Sequence, residues 1–138
     1  MTSYEFNYNG MHCKKWLAEK EKAKLQIIHG LGEMSEYYEQ LAAYMTDDGI
    51  SVYLCEYRDH GRTALPTDID DIVRQSADEC FSFSEYISAD SSTPLFLLGH
   101  SLGSQMAQYI LKRHGGTLYR GVTLTGCPHI RDTDMLLS

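Results

Sequence analysis

The chain has 138 residues, 43% hydrophobic and 22% charged, enough for one compact domain and too little for two. Twelve Lys and Arg against nineteen Asp and Glu leave a net charge of −7, and no basic run is long enough for a nucleic-acid footprint. No apolar run approaches the roughly 18 residues of a membrane span, and the start, Met1-Thr2-Ser3-Tyr4-Glu5, shows no secretory signal.

Tyr4 to Tyr8 alternates aromatic and polar residues, and Asn9-Gly10 predicts a turn leading into a second hairpin arm over Met11 to Ala18. Lys24 to Ile28 reads as a short strand ending at His29-Gly30-Leu31-Gly32. Ser35 to Asp47 reads as a helix with Ser35 as N-cap, Tyr38, Leu41, Ala42 and Met45 on one face, and Gly49 as its stop. Ser51 to Tyr57 is a second buried-type strand, followed by a loop from Arg58 to Pro66. Ile69, Ile72, Val73, Ser76, Ala77 and Cys80 mark an amphipathic helix running to about Ile87. Asp68, Asp70 and Asp71 read as its charged start, where negative charge suits the helix dipole, rather than as a metal site.

Pro94 to Leu98 is a strand, Leu102 to His114 a helix ended by Gly115-Gly116, and Leu118 to Thr125 a last strand. Strands alternating with helices imply an α/β fold of one domain over residues 1–138. Its sheet is expected to be mostly parallel, with an antiparallel hairpin at the N-terminal edge and helices on both faces. The cysteines Cys13, Cys55, Cys80 and Cys127 lie far apart with no Cys-x-x-Cys pair. They are expected to be reduced thiols in a cytoplasmic protein, with Cys55 and Cys127 as small core residues of strands.

Two motifs carry chemistry. Gly99-His100-Ser101-Leu102-Gly103 matches Gly-x-Ser-x-Gly between an apolar strand and a helix. A serine on so sharp a turn is held in strained backbone with its hydroxyl aimed outward, and side chains at the two glycines would crowd the neighbouring backbone. The helix start also points amide N–H groups at any negative oxygen formed beside the serine. His29-Gly30-Leu31-Gly32, at the end of an earlier strand, supplies a second loop. The amides of Leu31 and Leu102 are the candidate oxyanion donors.

These blocks resemble the serine hydrolases of the α/β-hydrolase fold, and most closely the monoacylglycerol lipase and lysophospholipase branch, related to the serine aminopeptidases. Ile27 to Glu33 resembles that branch's oxyanion loop, Tyr57-Arg58-Asp59-His60-Gly61-Arg62-Thr63 its Arg-Gly-His-Gly-x-Ser loop, and Leu97 to Ser104 its nucleophile elbow. The resemblance runs from about Tyr4 to Pro128. It departs at Met34, where the branch has His, and at Glu56, Asp59 and Thr63, where it has Asp, Gly and Ser. It implies ester hydrolysis of a small acyl substrate with Ser101 as nucleophile and no cofactor or metal. His29, Gly30, Gly32, Gly99, His100 and Gly103 would be supporting motif residues.

A triad in this fold runs Ser, then acid, then His. After Ser101 the carboxylates are Asp132 and Asp134, no histidine follows either, and no acid lies between Ser101 and His114 or His129. The resemblance therefore covers an N-terminal portion through about the sixth strand, with the lid, last strands, acid and histidine beyond it. Little or no turnover is expected from this chain alone. His29 and His60 read as loop-structuring, His100 as structural, His12 and His114 have no partner visible in sequence, and His129, the least constrained, is not expected to act as the base. Alternatives are a peptidase or thioesterase on the same scaffold, a binding module using the exposed strand edge, or an enzyme completed by a second chain.

Overall fold

The computed structural model describes residues 1–90 and 92–127. The hairpin is formed by β1 (Thr2–Tyr8) and β2 (Met11–Leu17), antiparallel with Tyr8 opposite Met11. Asn9 and Gly10 both have positive φ, 50° and 88°, the two-residue turn that the right-handed twist of paired strands favours. β2 then pairs antiparallel with β4 (Ile50–Glu56). β4, β3 (Ala23–Ile28), β5 (Leu95–His100) and β6 (Gly121–Thr125) run parallel, and the sheet order is β1-β2-β4-β3-β5-β6.

Alternation along the strands sorts side chains to two faces. Leu25, Ile27, Val52, Leu54 and Trp16 pack with Tyr38 and Ala42 of α1 (Glu39–Asp47) and the 3₁₀ turn before it (Ser35–Tyr38). Ile28, Tyr53, Cys55, Leu95 and Leu97 face α2 (Ile72–Ser88) and α3 (Leu102–His114), which contribute Ile72, Phe83, Met106 and Ile110. Two buried polar residues of β3 also point to α2. Lys24 Nζ donates to the Ile87 carbonyl (2.8 Å), near the helix C-terminus where a cation is favoured, and Gln26 Nε2 donates to the Cys80 carbonyl (2.9 Å). They fix the helix on the sheet while pairing their own buried polar heads.

Several expectations are corrected. Ser35 does not cap the helix with its side chain; its backbone N–H donates to Glu56 Oε2 (2.9 Å), and the segment opens as a 3₁₀ turn. Ile69 lies before α2 and is exposed. Asp71 stands at the N-cap without a side-chain cap bond and instead pairs with Arg74 (2.7 Å), and Asp68 and Asp70 precede the helix. Cys13 and Cys55 are bonded in a disulfide, because the β2–β4 register sets them opposite one another, with Cα atoms 4.1 Å apart. Cys127 is exposed and follows β6 rather than lying in it, whereas Cys80 is a buried free thiol whose pKa burial pushes up to about 12.

Among the described residues, β6 has one strand neighbour, so its outer edge is open, with Thr123, Leu124 and Thr125 exposed. On the α1 side, a cleft of about 280 Å³ lies between Met45 and the sheet residues Leu25, Ile50, Phe96, Leu98 and Thr123. Asp132, Asp134 and His129 fall outside the described residues. No helix among the described residues is long and apolar enough to cross a membrane.

Candidate active site

Ser101 sits between β5 and α3 with φ 55° and ψ −117°, a conformation that L-residues other than glycine rarely adopt. Its backbone N–H donates to the Thr125 carbonyl of β6 (2.9 Å), and its carbonyl accepts from Ser104 N (2.9 Å) and Ser104 Oγ (2.6 Å). These bonds hold the strained residue from both sides. The glycines around it are required by space. A Cβ at Gly99 would lie 2.5 Å from the Gly103 carbonyl oxygen, and one at Gly103 would lie 2.0 Å from the Ile28 carbonyl oxygen. The first turn of α3 therefore packs directly on the end of β3.

The loop after β3 meets the same point. A Cβ at Gly30 would come within 3.2 Å of Ser101 Cβ and 2.7 Å of Glu33 Oε1, so the bare glycine backbone runs against the serine. Gly32 has φ 76° with open space around it, so there the glycine serves the turn and not the packing. Glu33 closes the turn: its Oε1 accepts from Gly30 N (2.5 Å) and from Tyr38 Oη (2.9 Å), and its own N–H donates to the Gly30 carbonyl. Burial and this carboxylate push the Tyr38 phenol up, keeping it a donor. Leu31 stands exposed at the tip, and Leu102 opens α3 on the other side of Ser101.

His29 is fully buried behind the loop. Its Nδ1 donates to the Gly30 carbonyl (2.8 Å) and its Nε2 accepts from Tyr57 N (3.3 Å), which fixes one neutral tautomer. Burial lowers its pKa to about 4, so it stays uncharged at neutral pH. Tyr57 Oη donates to the His29 carbonyl (3.0 Å). The loop after β4 is anchored in the same way: Glu56, fully buried, accepts from Arg62 N (2.8 Å) and from Ser35 N, and Arg62 bridges it to Glu36. His100 Nδ1 faces Thr125 Oγ1 (2.9 Å). Two histidines that lacked partners in sequence acquire them: His12 with Glu5 (3.2 Å), and His114 with Asp78 (2.8 Å) while stacked on Phe81.

The structure thus brings His29, Gly30, Leu31 and Gly32 to Gly99, His100, Ser101, Leu102 and Gly103. Sequence reasoning missed Glu33 with Tyr38, and Glu56 as a buried anchor. The signal for Glu56 was a carboxylate closing an apolar strand run, which needs a set of donors to be buried there.

A family model described as serine aminopeptidase, S33, matches residues 19–135. Protein phosphatase methylesterase 1 of Candida albicans is 32% identical over 112 residues, covering 79% of this chain and 29% of that protein. A monoglyceride lipase homolog of monkeypox virus is 33% identical over 110 residues, covering 77% of this chain and 40% of that protein. Among solved structures, a lipase in an open form aligns with TM-score 0.76 at 26% identity, over 89% of this chain and 44% of its own. A soluble variant of the Saccharomyces cerevisiae monoglyceride lipase aligns with TM-score 0.71 at 19% identity, over 92% of this chain and 45% of its own. The chain spans less than half the length of these relatives. With the sheet order, the elbow at Ser101 and the loop at Gly30 in place, the chain belongs to the serine aminopeptidase S33 family of α/β-hydrolases.

Proposed function

We propose that Ser101 is the nucleophile of an ester hydrolase acting on small acyl esters of the monoacylglycerol or lysophospholipid kind. One observation carries the reading: Ser101 stands in strained backbone at the head of α3, with the bare Gly30 backbone against it. Its hydroxyl would attack the acyl carbonyl, and the Leu31 and Leu102 amides would receive the charge developing on oxygen. Two relatives, a methylesterase and a monoglyceride lipase homolog, are esterases by name, which favours an ester over a peptide or thioester.

Within these 138 residues no acid-then-histidine pair follows Ser101, so turnover needs a base and an orienting acid from elsewhere, a further segment or a second chain. His29 does not fill that role: both ring nitrogens are engaged and its basicity is lowered. The single domain over residues 1–138 is part of the same proposal. The cytoplasmic location drawn from reduced thiols loses that support, because Cys13 and Cys55 are bonded.

An alkyl fluorophosphonate tests the nucleophile, with imidazole added to stand in for the base that these residues do not supply. The expected result is one adduct on the peptide containing Ser101, absent from Ser101→Ala, with negligible steady hydrolysis of p-nitrophenyl acetate when imidazole is left out. Labelling at another residue overturns the assignment of Ser101. Sustained hydrolysis abolished by Ser101→Ala overturns the need for an outside base.

A further inference from the structure

Beside the oxyanion loop lies an open cleft of about 340 Å³, lined by Leu31, Gly32, Asp59, His60, Gly61, Thr67, Ile69 and Ile72. It lies at the small end of the range for ligand sites. Its polar groups are unusual in kind. His60 is only 8% exposed, and its Nδ1 donates to the Arg58 carbonyl (2.9 Å). On a neutral ring bonded in this way Nε2 is an acceptor; among the described residues no hydrogen bond engages it, and the ring lines the cleft.

Asp59 is the second acceptor. It replaces the glycine of the branch and holds the left-handed conformation that glycine would take, φ 59°. Asp tolerates this better than most residues. Its side chain is exposed at the cleft and forms no ion pair among the described residues. The cations nearby are committed elsewhere: Arg58 to Glu79 and the Pro66 carbonyl, Arg62 to Glu36 and Glu56, Arg74 to Asp71. Thr67 Oγ1 is occupied by Gln75 Oε1 (3.1 Å). The cleft therefore offers two acceptor side chains, one of them anionic, and among the described residues no side-chain donor is left over from these pairs to oppose them. Leu31, Ile69 and Ile72 supply apolar wall, and Leu31 and Ile69 are exposed.

We propose that this cleft is a subsite for a primary alkylammonium group, the N–H donors of which meet His60 Nε2 and the Asp59 carboxylate while the alkyl stem lies along Ile69, Ile72 and Leu31. Because Leu31 belongs both to this cleft and to the oxyanion loop, the group it holds is part of a substrate reacting at Ser101. That last step rests on the hydrolase reading above; the binding does not. A neutral alcohol has fewer donors and no charge, and a quaternary ammonium has charge but no donor, so both fit less well.

The test titrates the ¹⁵N-labelled chain with n-butylammonium, 1-butanol and tetramethylammonium, following the amides of Gly32, Asp59, Gly61 and Ile69. The expected result is saturable shifts at these amides with n-butylammonium, and several-fold weaker binding of the other two probes. Asp59→Asn, which keeps a residue suited to positive φ, weakens n-butylammonium binding about 2- to 5-fold, the worth of one exposed ion pair. Equal responses to all three probes, shifts outside the cleft, or unchanged affinity in Asp59→Asn overturns the proposal. Ser101→Ala leaves this binding intact. Loss of fluorophosphonate labelling with ammonium binding retained rejects the hydrolase reading alone, and the reverse pattern rejects the subsite alone.

Discussion

The rings of His29 and Tyr57 stack at 3.8 Å with an interplanar angle of 5°, and each residue also bonds the other's backbone. This pair ties the end of β3, which carries the Gly30–Glu33 loop, to the end of β4, which carries the Arg58–Pro66 loop. The Gly30 turn is thereby set by buried aromatic contact and two hydrogen bonds rather than by its own short sequence.

Stability should fall with acid partly through this pair. The folded His29 has a pKa of about 4 against 6.5 for the free side chain, so the unfolded state binds more protons between those values. The contribution is fully present above pH 6.5 and is lost as pH falls toward 4, on the order of 3 kcal/mol in all. Urea unfolding at intervals from pH 7.5 to 4 measures it. His29→Phe, which keeps a ring but cannot titrate, is expected to show a flatter profile. It should also be less stable at pH 7.5 by about 1–3 kcal/mol, from the Tyr57 N–H left without its partner and the bond to the Gly30 carbonyl lost. An unchanged slope would mean that other groups set the acid transition.

Two glycines should respond differently to alanine. At Gly103 the added methyl meets the Ile28 carbonyl at 2.0 Å, and backbone at both ends has to move. Gly103→Ala is expected to cost about 3 kcal/mol or more, or to prevent folding. At Gly32 nothing lies within 4 Å, and the cost is the positive φ alone, about 1–2 kcal/mol. Denaturation midpoints of the two variants compare them directly.

The Cys13–Cys55 bond should be visible without any structure. Under non-reducing denaturation, two of the four cysteines react with a thiol reagent, and the intact mass is lower by two hydrogens than that of the reduced chain. Replacing both by serine removes a crosslink across 42 residues and is expected to cost about 2–4 kcal/mol. Four reactive thiols in freshly purified protein, denatured without reductant, would show that the bond does not form.

The open edge of β6 should make the chain associate. Its N–H and C=O groups face outward without a strand partner among the described residues, beside exposed Leu124. Size-exclusion elution is expected to shift to larger species as concentration rises. Leu124→Lys, which places a charge on the edge, should reduce that shift several-fold. A monomer at all concentrations for both chains would show that the edge is covered.

Local signals were strong enough to be read directly where one segment suffices. Helix α3 begins at Leu102 and ends at His114, as its periodicity and the following glycines require. The Asn9-Gly10 turn and the Gly99–Gly103 elbow needed no partner to be recognised, because positive φ and tight packing restrict residue choice at those positions. Ser35 misled because a serine before an amphipathic run has the pattern of a cap, whereas here a buried carboxylate, Glu56, takes its backbone N–H.

The sequence by itself determined the alternation of strands and helices, the serine on its turn, and the order of acids and histidines around it within these 138 residues. All of these are properties of neighbouring residues or of chain order. Only the tertiary structure decided that Cys13 faces Cys55, that Glu56 anchors two loops, and that His60 lines a cleft beside Leu31. Each depends on register between strands distant in sequence, or on which donors reach a buried group, and those are set by packing rather than by spacing along the chain.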